Sequence, residues 1–86
     1  MGYNSAMSST TNTTLIRVDL EKHMDRRYTV SVQPTLLDPV AVVCIWGSRR
    51  SSYQRLQVHD AATLEEGQMM AEKIVREKMR RGYIPA

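Results

Sequence analysis

The chain has one cysteine (Cys44), no phenylalanine and one tryptophan (Trp46). A single thiol excludes an intrachain disulfide, so no covalent staple holds the fold. Without phenylalanine, and with aromatics at 6% of the chain, the core must be filled by aliphatic side chains and by some of the six methionines. Methionine adapts to gaps but specifies packing poorly. No apolar run approaches the ~20 residues of a membrane-spanning helix, and no secretory leader is visible, so the expectation is a cytoplasmic protein without a membrane partner. Met1-Gly2 resembles the start of an acylation signal, but Ala6 stands where that signal requires Ser or Thr.

Several chemistries are excluded by spacing. His23, His59 and Cys44 are scattered, with none of the close spacing that a zinc site needs, so no metal is expected. Cys44 lies in the most apolar run, without a local charge to activate it, and reads as a small hydrophobe. Glu65-Glu66 is a helix-start pair, and the glycine loop that cradles nucleotide phosphates is missing. With no nucleophile, base and oxyanion arrangement in view, the chain is read as a non-enzyme with no cofactor and no small-molecule substrate. At 86 residues it is one small domain that buries only ~60% of its unfolded surface, which favours a binding module over a deep catalytic cleft.

What is present is a modest, uneven excess of positive charge. The formal net charge is +3. Up to Ile45, Arg17, Lys22, Arg26 and Arg27 balance Asp19, Glu21, Asp25 and Asp38, so all of the surplus lies from Trp46 onward. Such asymmetry favours an anionic partner.

Residues 1–14 are rich in Ser, Thr and Asn, lack periodicity and are expected to form a tail, leaving 15–86 as the domain. Leu15, Arg17 and Asp19 alternate with Ile16, Val18 and Leu20, a half-buried strand. Tyr28, Val30 and Val32 alternate with polar residues in a second. Pro34 to Pro39 is a loop whose Leu36 and Leu37 are expected to tuck under the sheet. A third strand runs from Val40 to Trp46. Ser48 to Ser52 turns the chain, and Tyr53 to His59 returns it with Leu56 and Val58 expected inward. Thr63-Leu64-Glu65-Glu66 is a capping box opening a helix to about Arg81, with Gly67, Met70, Ala71, Ile74 and Lys78 along one side. Gly82 is the expected stop. The fold class is therefore α+β: an antiparallel sheet of four or five strands packed against one C-terminal helix.

The segment most suggestive of function is Val40-Ala41-Val42-Val43-Cys44-Ile45-Trp46-Gly47 followed by Ser48-Arg49-Arg50-Ser51-Ser52. It places an indole at the mouth of a basic turn. Trp46 reads either as a packing residue or as a flat contact for sugar or base. Arg49, Arg50 and Arg55 read either as a solvated turn or as guanidinium forks for phosphate. Lys73, Arg76, Lys78, Arg80 and Arg81 form a second basic patch that first serves the helix dipole and solubility.

Together with Arg26-Arg27-Tyr28-Thr29-Val30-Ser31-Val32-Gln33-Pro34-Thr35-Leu36 and Lys78-Met79-Arg80-Arg81-Gly82-Tyr83, the Ile45-Trp46-Gly47 segment resembles the WGR domain over about Leu15 to Tyr83. That family is named for a Trp-Gly-Arg signature and occurs beside the catalytic part of several poly(ADP-ribose) polymerases and in small bacterial proteins. The resemblance implies a DNA-binding module in which Trp46 packs against the sugar at a strand end. Trp46, Gly47, Arg49, Arg50 and Arg55 are the expected nucleic-acid contacts. Ser48 replaces the signature arginine, which in the polymerases links the bound DNA end to neighbouring regulatory helices. The rival reading is a protein-interaction module, with the Trp46 rim docking a partner protein or a second copy of the chain in a homodimer.

Overall fold

The computed structural model describes residues 11–34 and 40–86. The two segments expected to be tail and loop therefore fall mostly outside the described residues, the loop's Leu36 and Leu37 entirely so. The domain pattern does begin earlier than the residue 15 expected, since strand β1 is Thr11–Asp19. Its Thr-rich start lacks apolar alternation but pairs with an apolar neighbour, Thr11 opposite Val32 and Thr13 opposite Val30.

β2 is Met24–Gln33, β3 is Val40–Ser48 and β4 is Gln54–Ala61. Helix α1, Leu64–Arg80, follows, and a two-residue β5, Ile84–Pro85, closes the chain. Among the described residues these strands form one five-stranded antiparallel sheet in the order β4-β3-β2-β1-β5. The first four strands are a meander. α1 then carries the chain back across the sheet, so that β5 joins the far side of β1.

Strand alternation decides what α1 covers. Leu15 of β1, Tyr28, Val30 and Val32 of β2, and Val40, Val42 and Cys44 of β3 share one face and are buried. α1 meets them with Gly67 and Ala71, which are buried, and with Leu64, Met70, Ile74 and Val75, which are partly so. Backbone and sheet approach closely there. A Cβ added at Gly67 would lie 2.7 Å from Val40 Cγ1 and 3.1 Å from Val32 Cγ1.

Both helix ends are closed by local chemistry. Thr63 Oγ1 accepts from the Glu66 amide at 3.1 Å. The Glu66 carboxylate accepts in return from the Ala62 amide at 3.2 Å, one residue before the cap itself. At the other end the Tyr83 amide donates to the Lys78 carbonyl and the Gly82 amide to the Met79 carbonyl, each at 3.1 Å. With Gly82 at φ 101° this is a Schellman stop. It turns Tyr83 inward, where it is buried and meets the Tyr28 ring edge-on at 6.1 Å between centroids. The Ala86 amide donates to the Thr14 carbonyl at 3.0 Å, tying the end of the chain to β1.

One expectation is overturned. Leu56 and Val58 do not point inward: they are 62% and 50% exposed. The positions of β4 on the α1 side are Arg55, Gln57, His59 and Ala61, because they stand opposite Trp46, Cys44, Val42 and Val40. Of these, only Ala61 is buried, as one of the core residues. β4 is an outer strand, and its aliphatic residues face away from the helix.

Candidate functional site

Trp46 stands directly opposite Tyr28 on β2 and Arg55 on β4. The indole stacks on the Tyr28 ring, 5.5 Å between centroids with planes 18° apart. Tyr28 is held in turn by Tyr83 and by Lys78, whose Nζ lies 4.6 Å from the ring centroid. Burial, followed by a hydrogen bond with Cys44, pushes the Tyr28 phenol well above its ordinary value. The ring is therefore neutral at physiological pH and serves as a firm backing for the indole, with an ammonium over it.

The indole is partly buried, and its open side lines a hollow of about 450 Å³. Arg26 of β2 and Arg55 of β4 flank it, and Gly47, Ser48, Ser51 and Tyr53 of the β3–β4 connection complete its rim. Arg26 is exposed and stands opposite Ser48. Two guanidinium groups thus reach the hollow from the strands on either side of Trp46.

The β3–β4 connection is shaped by serine rather than by glycine. Ser48 Oγ accepts from the Arg50 amide at 3.1 Å, and Ser51 Oγ accepts from the Tyr53 amide at 3.0 Å. Ser48 therefore folds the turn at the position where the resemblance leads one to expect arginine. Gly47 is needed for a steric reason, since a Cβ there would lie 2.7 Å from the Tyr53 carbonyl oxygen.

Arg49 and Arg50 are engaged elsewhere. Arg49 Nε lies 3.1 Å from Asp25 Oδ1, and Arg50 Nε lies 3.8 Å from Asp25 Oδ2. The Arg49 amide also donates to the Asp25 carbonyl at 2.9 Å. Asp25 Oδ1 is buried and has no hydrogen-bond partner among the described residues, so its hold on the Arg49 guanidinium is Coulombic rather than a well-aligned bond. The Arg49 side chain lines a hollow on the opposite face of the sheet, with Arg27, Thr14 and Thr29.

The five residues singled out by sequence therefore separate. Trp46, Gly47 and Arg55 share one hollow; Arg49 lies behind it, and Arg50 is drawn toward the same carboxylate. Arg26 and Tyr53 join the hollow without having been anticipated. A signal for Arg26 exists in the sequence: it is in phase with Tyr28, Val30 and Val32. The same period of two puts Arg49 out of phase with Trp46. Of the second basic patch, Lys78, Arg80 and Arg81 lie with Glu77 around the end of α1, whereas Arg76 lines a separate hollow with Gln68, Glu72 and Val75. Arg17 adds to the group at the helix end, since a Cβ at Gly82 would lie 3.1 Å from Arg17 Nε.

Among the described residues no cluster of three or more His, Cys, Asp or Glu side chains could hold a metal. No described helix is long and apolar enough to cross a membrane. Comparison with protein families matches the WGR domain over residues 11–86. No curated protein and no solved structure matches the chain.

Proposed function

The chain belongs to the WGR domain family, and from that premise we propose that it is a non-catalytic nucleic-acid-binding module favouring DNA with exposed ends or nicks. The observation that carries this reading is the partly buried Trp46 indole, backed by Tyr28 and lining one hollow with Arg26 and Arg55 of the adjacent strands. With Tyr28 against one face, the indole offers the other to a sugar or base. The guanidinium groups on either side suit the phosphates that flank a sugar. An aromatic face of this kind contributes ~1–3 kcal/mol per stacked base in single-strand systems. Contacts to sugar and phosphate carry no base code, so sequence preference is weak.

The test is a titration of linear DNA against a covalently closed circle of the same sequence at several salt concentrations. The linear form is expected to bind more tightly, with an affinity that falls steeply with salt. Equal and feeble binding to both would remove the proposal. A protein partner at the Trp46 rim is the second reading, favoured by Tyr53, which is 69% exposed on that rim. Loss of a protein partner on Trp46→Ala, with DNA binding undetectable in the parent, would select it.

A further inference from the structure

The two outer strands of the sheet are built differently. β5 is two residues long and contains Pro85, which cannot donate to a further strand. β4 has eight residues and contains no proline or lysine, and its pairing with β3 runs without a bulge from Val40↔Ala61 to Gly47↔Gln54. Every residue from Gln54 to Val58 is exposed. On the face away from α1, Leu56 stands opposite Ile45 and Val58 opposite Val43, a block of four aliphatic side chains reaching the edge. The charges of β4, Arg55 and Asp60, stand toward its two ends and leave Leu56-Gln57-Val58 between them. An edge of this length, unpaired among the described residues and with apolar side chains at its centre, is a template for another strand.

We propose that the strand it accepts is β4 of a second copy of this chain, paired antiparallel about a two-fold axis through Gln57. Gln57 then faces its own counterpart, Leu56 faces the partner's Val58, Arg55 faces the partner's His59, and Gln54 faces the partner's Asp60. This register is selected by the residues themselves. Shifting the axis to Val58 would set Leu56 against an aspartate, and shifting it to Leu56 would set Val58 against a glutamine. Centred on Gln57, both aliphatic residues meet aliphatic partners, and the two four-residue blocks merge into one.

Charge complementarity supports a second copy over an unrelated strand. The start of β4 is basic, with Arg55 in the strand. Its end is acidic, with Asp60 in the strand and Glu65 and Glu66 opening α1. Antiparallel pairing brings the basic end of each copy beside the acidic end of the other, twice. The product is a continuous ten-stranded sheet, two sheets of five. The axis stands perpendicular to that sheet, so both Trp46 hollows open on the same side, with their strand positions about 20 Å apart. Dimerisation does not rest on the nucleic-acid reading, and a Trp46→Ala chain is expected to dimerise as the parent does.

The experiment is sedimentation equilibrium of the full chain from micromolar to near-millimolar concentration, with position-specific cross-linking. The parent is expected to pass from the 9.8 kDa monomer to a species of twice that mass. Val58→Lys, a change at an exposed position, is expected to raise the dimer dissociation constant about tenfold or more, the equivalent of ~1.4 kcal/mol. A short bis-maleimide is expected to capture the dimer of Gln57→Cys and not that of Gln54→Cys, whose thiols would lie ~20 Å apart along the pairing. The buried Cys44 is not expected to react. A parent that stays monomeric throughout the range overturns the proposal. So does a dimer indifferent to Val58→Lys, or one cross-linked as readily from position 54 as from 57. Should Val58→Lys fail to fold, judged by circular dichroism, the two cysteine variants decide the matter.

Discussion

Trp46 and Tyr28 face each other across β3 and β2 with their rings 5.5 Å apart and nearly parallel. Tyr28 belongs to the buried core, whereas Trp46 is only partly buried, so the pair joins the core to the surface hollow. Replacing either residue therefore tests both stability and binding, and controls must separate the two.

For Trp46, alanine removes the contact face along with the stack, whereas phenylalanine keeps an aromatic ring against Tyr28. Trp46→Ala is expected to weaken DNA-end binding about five- to 150-fold, corresponding to the loss of ~1–3 kcal/mol of aromatic contact. Trp46→Phe is expected to recover most of that loss. Fluorescence anisotropy with a labelled duplex end measures both, and an unchanged affinity for the alanine variant would show that the ring is not the contact.

The arginines are separable by salt. Arg26→Gln and Arg55→Gln are each expected to reduce the slope of log affinity against log salt by ~0.9 on duplex DNA. Arg49→Gln is expected to leave the slope nearly unchanged, because its guanidinium is held against Asp25 on the other face. Asp25→Asn is expected to steepen the slope by releasing Arg50, which is largely exposed.

Gly67→Ala sets helix propensity against packing. The substitution should stabilise a solvent-exposed helix by ~1 kcal/mol. Here the new Cβ would lie 2.7 Å from Val40 Cγ1, a stiff β-branched side chain in the core. Overpacking of this kind costs ~1–3 kcal/mol, so a net loss of stability is expected. Urea denaturation reads it as a lower midpoint, and a midpoint equal to or above the parent's would show that α1 can move away from the sheet.

The Tyr28 phenol makes stability depend on alkaline pH. Its folded pKa is raised by burial, so the folded chain keeps this proton where the unfolded chain, ionising near pH ~10, has begun to lose it. The contribution is fully present below that pH and declines as pH rises above it. The parent's urea midpoint is expected to fall from about pH 9 to about pH 11 more steeply than that of Tyr28→Phe, which lacks the group. Parallel curves for the two proteins would contradict the buried, neutral phenol.

Local patterns in the chain were enough for α1. The Thr63 cap, the acidic first turn, the basic last turn and Gly82 act within a few residues of one another, so nothing distant can override them. The alternation in β2 likewise revealed its buried face. β4 was misread because alternation gives a period and no phase: Leu56 and Val58 are in step with each other, but only pairing with β3 shows that their step faces away from the helix. Most of the hollow around Trp46 was legible in part for the same reason. Its ring, Gly47 and Arg55 were visible near one another in sequence, while Arg26 arrives from a strand twenty residues earlier.

The chain's own order of residues thus determined the fold class, the capped helix and the presence of an indole in a basic neighbourhood. Tertiary structure decided which cations share that indole's side of the sheet. Side chains on a strand alternate between faces, and inter-strand register sets which residues become neighbours. Arg55 and Arg26 were thereby brought to Trp46, while Arg49, three positions along the chain from it, was carried to the opposite face and bound to Asp25.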